Sequence, residues 1–266
     1  MKKSIVILIF LLASFTGFAQ QYQVEGRGFT YTEKYKPKMN LVKMNLTAIP
    51  LNNYSVQYER VLFKRVSVAL SYRMMPTKKL PFLSSIQEQI DDPEVNEMLD
   101  NFKIGNSAIT PEVRFYLGKK GYGRGFYISP FVRFANYEAS DLLLNYDDEN
   151  NQEQSIVFAG SGKSFTYGVM FGAQWSLSKH VVLDWWIAGP HFGNSKFNLD
   201  GVSSRVLGPP EQDVLQDFMN DITDEINNLA EIRTTATASV NENGAKLATD
   251  GLWGGIRAGI SLGIKF

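Results

Sequence analysis

The chain has 266 residues with 27 basic and 27 acidic side chains, so its formal charge is zero and bulk electrostatics give it no affinity for nucleic acid. Hydrophobic residues make up 44%, ordinary for a folded chain and too few for a bundle of membrane helices. There is no cysteine, which excludes a disulfide framework, a thiolate nucleophile and a cysteine zinc site.

The first stretch, MKKSIVILIFLLASFTGFAQQ, has a basic start at Lys2 and Lys3, an apolar run from Ile5 to Leu12, and Gly17 and Ala19 at a spacing suited to signal peptidase. It reads as a secretory signal peptide over residues 1–19, cleaved after Ala19. Its apolar core is shorter than the ~20 residues of a spanning helix. No cysteine follows to carry a lipid, and no later run approaches that length. A mature chain held in a membrane would therefore sit there without helices. Residues 20–37 read as a polar leader on the periplasmic side.

From residue 38 to 266 the period is two almost everywhere. MNLVKMNLTA, YSVQYE, VSVALSYRM, ITPEVRFYL, FYISPFVRFA, SFTYGVMFGAQWSL, VVLDWWIA and LWGGIRAGISLGIKF each alternate an apolar set with a small, polar or charged set. That predicts eight strands. A tight turn at Phe63 and Lys64, GKKGYGRG, and SLSKH make short joints, whereas insertions 77–107, 139–162 and 194–250 read as long loops. Short turns on one rim and long loops on the other are the pattern of an outer-membrane barrel, with the turns facing the periplasm. The short turns are basic, and the long loops are acidic, as in DDENNQE and EQDVLQDFMNDITDEINN.

Two loop segments change to helical period. In PPEQDVLQDFMNDITDEINNLAEI the stripe is Leu215, Phe218, Ile222, Ile226 and Leu229. In SSIQEQIDDPEVNEMLDNF, Ile86 and Ile90 come first; Asp92 then caps a helix that has Pro93 at its first position and Val95, Met98, Leu99 and Phe102 on its apolar side. Both helices are expected to pack above the barrel mouth.

The second set on the strands contains Lys43, Glu59, Arg73, Glu112, Arg114, Arg133, Asp184 and Arg257, about one charge per strand. Facing lipid, each basic residue would cost on the order of 2–4 kcal/mol. Facing inward, acids and bases can pair across a narrow lumen as a charge network, and glycines of the same set (Gly168, Gly172, Gly255, Gly259, Gly263) make room for them. Aromatics gather at the strand ends: Phe115, Phe126, Trp175 and Phe266 on the turn side, Tyr54, Tyr72, Phe134 and Phe165 on the loop side. They suggest two interfacial girdles. Eight strands leave an interior that side chains fill, so a general diffusion pore is not expected.

With the strands placed, the chain is similar to the small outer-membrane β-barrel proteins of Bacteroidota, a family of uncharacterised barrels with a domain-of-unknown-function label. The stretches that carry the resemblance are YSVQYERVLFKRVSVALSYR, PEVRFYLGKKGYGRGFYISPFVRF, YGVMFGAQWSLSKHVVLDWWIAGPHFG and the closing strand. The resemblance covers most of the barrel but not the two helical loops; together with the alternation and the helical stripes it gives an eight-stranded antiparallel transmembrane up-and-down barrel with short helices in long extracellular loops as the expected fold. It also implies that the terminal Phe266 serves as the signal read by the barrel assembly machinery. It transfers no catalytic residue.

Three constellations invite chemistry. AGSGKS at 159–164 resembles a phosphate loop, but Val157 stands where the motif needs its first glycine. His191, with Ser195 four residues on, offers a base and a nucleophile for a lipid-modifying enzyme at the outer rim. Asp147, Asp148 and Glu149 offer oxygen ligands without the spacing of a calcium loop. The reading is therefore a non-enzymatic protein of the cell outer membrane, without cofactor or metal. It would act structurally or by binding, its acidic extracellular loops meeting lipid, envelope components or an extracellular partner. A lipid A deacylase-like enzyme and a soluble periplasmic ligand-binding barrel are the alternatives.

Overall fold

The computed structural model describes residues 38–90, 93–148, 152–203, 205–229 and 234–266. The signal peptide, the leader, Asp92 and Glu149 lie outside them. Nine strands follow in order: β1 (Asn40–Asn45), β2 (Tyr54–Phe63), β3 (Val66–Lys79), β4 (Lys103–Tyr116), β5 (Gly125–Asp147), β6 (Glu153–Ser176), β7 (Val181–Ser203), β8 (Thr235–Asn241) and β9 (Gly244–Lys265). Helices α1 (Leu83–Gln87) and α2 (Pro93–Asn101) lie between β3 and β4, and α3 (Pro209–Leu229) lies between β7 and β8.

Every strand pairs antiparallel with its neighbour, and β1 closes on β9 through Leu41↔Lys265, Val42↔Ile264 and Met44↔Leu262. The ring is the expected eight-stranded up-and-down barrel, made of β1 to β7 and β9. The ninth strand, β8, is an addition that pairs only with the upper part of β9, from Thr235↔Asp250 to Asn241↔Gly244. It takes the edge of β9 that the short β1 leaves free.

Two of the insertions that alternation assigns to loops contain long continuations of the strands. Within 139–162, β5 reaches Asp147 and β6 restarts at Glu153; within 194–250, β7 runs to Ser203 and β9 begins at Gly244. Nor are all the loop helices short, since α3 has 21 residues. The strands of β5, β6, β7 and β9 thus rise well beyond the others. They form an open half-cylinder above the ring, and the helices cover its hollow side.

The ring and this cap have opposite polarity. In the ring the apolar set faces out. Leu70 is 51% exposed and Tyr167 47%, while the inward Arg114 and Asp184 are both at 0%. All eight aromatics of the two proposed girdles are exposed on the outer face. In the cap the apolar set faces in. Val95, Met98 and Leu99 of α2 and Leu215, Met219, Ile222 and Ile226 of α3 pack with Leu144, Tyr146, Ile156, Phe158 and Leu247 of the tall strands. Among the residues whose side chains are described the helical stripes hold, with Met219 as an extra core residue, and the Phe218 ring lies tilted beside Tyr146 at 6.2 Å. Helix α3 starts at a proline pair, and the Glu211 carboxylate accepts the Gly208 N–H at 2.8 Å and the Arg205 guanidinium at 2.5 Å.

On β5 the change of polarity uses a bulge. Below it the odd residues Arg133 and Ala135 face in, and above it the even residues Leu144 and Tyr146 do. The irregularity lies between Ala139 and Leu142, where Asp141 takes φ +57°. The Lys103 ammonium, 2.9 Å away, and the Ser140 hydroxyl hold the Asp141 carboxyl below its ordinary pKa.

Candidate functional site

The lumen of the ring holds the only dense set of chemistry-bearing side chains among the described residues. Its floor is apolar. Leu41, Val61 and Val182 form a buried cluster at the turn end, against which Tyr122 packs. The β4–β5 turn folds under the barrel, with the Tyr122 N–H donating to Lys64 O at 2.7 Å and Gln174 Nε2 donating to Gly123 O at 2.8 Å. Gly121 and Gly123 have φ +62° and +70°, left-handed values that glycine adopts without strain and that let the turn tuck inward.

Above the floor lies an ion-pair network. Lys43 Nζ donates to Glu59 at 2.6 Å, Asp184 at 2.6 Å and Gln174 Oε1 at 2.7 Å. The Arg114 guanidinium meets Asp184 at 2.6 Å, Glu112 at 2.6 Å and Gln57 Oε1 at 2.8 Å. Tyr116 donates its hydroxyl to Glu59 at 2.6 Å, Tyr127 donates to Asp184 at 2.8 Å, and the Trp186 indole donates to Asp184 at 3.1 Å. Arg257 completes the upper edge, 3.3 Å from Glu112, and lies over the rings of Phe131 (4.5 Å) and Trp186 (4.9 Å). The network ties β1, β2, β4, β5, β6, β7 and β9 together across the lumen. In a low dielectric such charges are held only if every carboxylate and cation finds its partners, and these do.

Glycines make room for the long side chains. A side chain at Gly263 would overlap the Lys43 stem, and one at Gly172 would overlap the Tyr127 ring. All eight charges read from the sequence point inward. Six of them join one network, while Arg73 and Arg133 stand apart above it. Arg133 donates to Thr110 Oγ1 at 3.3 Å, and among the described residues no carboxylate comes within salt-bridge distance of either arginine. Alternation also places Gln57, Gln174, Tyr116, Tyr127 and Trp186 on the inner face, yet a search for charges alone passes over them. Their signal is membership of the inward set.

The His191 and Ser195 pair faces the lumen rather than the outside and is not brought together. A register shift between Trp186 and Gly189 changes the parity of β7 and turns His191 into the lumen, where both residues are 6% exposed. Four residues of extended strand separate their Cα atoms by roughly 13 Å. No hydrogen bond joins the two side chains among the described residues, and both His191 ring nitrogens are buried without a partner there. AGSGKS is extended strand within β6, with Lys163 opposite Lys196, and has no phosphate-loop geometry. The Asp148 carboxylate is engaged in the β5–β6 turn, accepting the Gln152 N–H at 3.0 Å and the Gln154 amide at 3.1 Å. No group of three metal-ligating side chains gathers among the described residues. The terminal Phe266 exchanges backbone hydrogen bonds with Asn40 and points outward at the turn end.

A model of the family described as protein of unknown function (DUF3575) matches residues 6–199. The match takes in the first three of the stretches that carry the resemblance and ends before α3, β8 and the closing strand. No curated protein matches the sequence. Among solved structures the chain is similar to two outer-membrane barrels. One is CarO of Acinetobacter baumannii, at 12% identity and TM-score 0.38, with 87% of this chain and 98% of that one covered. The other is the N-terminal β-barrel domain of Pseudomonas aeruginosa OprF, at 10% identity and TM-score 0.26, with the same coverage.

Proposed function

The chain belongs to the DUF3575 family of proteins of unknown function, and from that premise we propose that it is an outer-membrane anchor. In this reading a closed barrel holds a water-exposed cap at the outer surface, and the cap binds a partner. The observation that carries the reading is the inverted ring, apolar outside and ion-paired inside. Hydrocarbon is the solvent that suits such an outer face. The lumen, floored by Leu41, Val61 and Val182 and crossed by the Lys43–Arg114 network, suits an anchor rather than a conduit.

The binding half of the proposal rests on α3. Its sequence holds six acidic residues and no basic one, and Asp213, Asp217, Asp221 and Asp224 lie on its exposed side. A carboxylate stripe on a rigid helix favours cationic groups of an envelope component or extracellular partner. Export by the signal peptide and recognition of Phe266 by the barrel assembly machinery belong to the same reading.

Fractionation and conductance test the anchor. The protein should sediment with outer membranes, migrate faster on unheated gels than on heated ones, and give no steady conductance in a planar bilayer. Recovery in the periplasm without detergent, or a stable open channel, would contradict it. Binding is tested by comparing the partners retained in mild detergent by the intact protein and by D213N/D217N/D221N/D224N. Equal retention by both would remove α3 from the account.

A further inference from the structure

The lumen is not filled uniformly. Between the ion-pair network and an aromatic layer of Tyr137, Phe197 and Trp253 lies a cavity of about 50 Å³. A water needs roughly 10–15 Å³ on this measure, so there is space for a few waters or one small polyatomic ion. Arg73, Arg133, Arg257, His191, Asn53 and Asn106 line it.

Two features set this cavity apart from a wet gap. First, it collects unmet polar groups. Ten buried side-chain nitrogen and oxygen atoms lack a hydrogen-bond partner among the described residues. Five of them are here: Arg73 Nε, both ring nitrogens of His191, and the Oδ1 atoms of Asn53 and Asn106. Second, it holds unbalanced charge. Of the eight mid-strand charges, five are cations and three are carboxylates, and all three carboxylates are engaged in the network, while the further buried cation Lys265 lies at the turn end and donates to Ser176. The two surplus cations are Arg73 and Arg133, both facing the cavity. Buried cations without a counter-charge are costly, and water satisfies their N–H groups without neutralising them.

We propose that this chamber binds a phosphate group. Arginine forks suit the oxygens of such an anion. The His191 ring offers an N–H donor in either protonation state. Either asparagine amide, turned by half a rotation, presents its NH₂ in place of the oxygen. Among the described residues no carboxylate lines the cavity to repel the ligand. A phosphate carries a charge of roughly −1.5 to −2 at neutral pH, which matches the two surplus cations. The lining reaches Leu51, Asn53 and Pro81, on the side where β1 and β2 stop short, so entry is from the loop side. The site is independent of any partner of α3.

The test uses the full chain in detergent, titrated with inorganic phosphate and followed by ¹⁵N signals of its two histidines. His180 lies in an exposed turn and serves as the internal control. The His191 ring signals should shift with added phosphate and not with chloride at equal ionic strength, while the His180 signals stay put. R73Q and R133Q should each weaken phosphate binding by roughly tenfold or more, as expected for loss of a charged hydrogen bond. Both variants are first shown to keep the fast-migrating folded form, and R73K supplies a second probe if R73Q does not fold. A parallel titration compares nanodiscs of phosphatidylcholine with nanodiscs containing phosphatidic acid. Loss of phosphate binding only in the latter assigns the site to a lipid headgroup, and equal binding in both assigns it to a free anion. No His191 shift with phosphate, or an unchanged affinity in the arginine variants, would overturn the proposal.

Discussion

The same four strands build two environments. On β6 the even residues face inward along the whole length; near the turn end they are Thr166 and Gln174, while in the cap they are Ile156 and Phe158. The outer face of β9 changes in step. Leu252, Ile256, Leu262 and Ile264 are exposed around the ring, while Lys246 and Asp250 are exposed around the cap and pair with Asp200 and Lys196 of β7. Between the two regimes, Tyr137, Phe197 and Trp253 narrow the lumen on the side of β5, β7 and β9. A strand does not choose which face is apolar. The surrounding solvent does, and in the proposed anchor the reversal would mark the level at which lipid gives way to water.

The contrast can be broken at four points. The largest effect is expected at Asp184, which receives Lys43, Arg114, Tyr127 and Trp186. D184A leaves two buried cations without their shared carboxylate and should cost about 3–5 kcal/mol. In urea titrations in lipid, the whole ring should unfold at lower denaturant. A change under about 1 kcal/mol would mean the network is dispensable.

In the cap, L215A removes a fully buried side chain from the conventional core and should cost about 2–5 kcal/mol locally. Limited proteolysis should cut α3 faster while the heat-sensitive gel shift of the barrel persists. Loss of both together would show that ring and cap do not unfold separately.

The outer face is probed by one substitution made twice on β6. Val169 and Val157 are both exposed, at 37% and 42%, and lie on the same side of the strand. V169R should cost about 2–4 kcal/mol because it faces hydrocarbon, whereas V157R should stay within about 0.5 kcal/mol because it faces water. Equal costs would erase the proposed boundary. Smallest of all, D250N breaks an ion pair whose side chains are 73% and 55% exposed, and an unfolding titration should register less than about 1 kcal/mol.

Much of the ring was legible in the sequence. Period two places Lys43, Glu59, Arg114, Asp184 and Arg257 on one face, and the even residues of the tail from Leu252 to Phe266 on the other. The pairing of β9 with β1 follows from closure. The cap was less legible for the physical reason just described. In SIVFAG three apolar residues follow one another, and Ile156 and Phe158 occupy the parity that carries polar residues lower down, so an apolar-outward template fails there. The inward position of His191 escaped because a period-two reading does not survive the irregularity between Trp186 and Gly189; Gly189 and Pro190 were the available sign of a bulge. The floor formed by Gly121–Gly123 depends on left-handed backbone in a turn that reads simply as short and basic. The surplus of Arg73 and Arg133 over carboxylates was countable from the sequence, but their isolation from the network required the register.

The central claim, lipid around the ring and water around the cap, is tested most directly by spin-label accessibility along β6. The chain has no cysteine, so single cysteines at Val169 and Val157 can each be labelled without background. In reconstituted bilayers the label at Val169 should collide readily with dissolved oxygen and be shielded from a water-soluble nickel complex, and the label at Val157 should show the reverse. Nickel access at both positions would contradict the account.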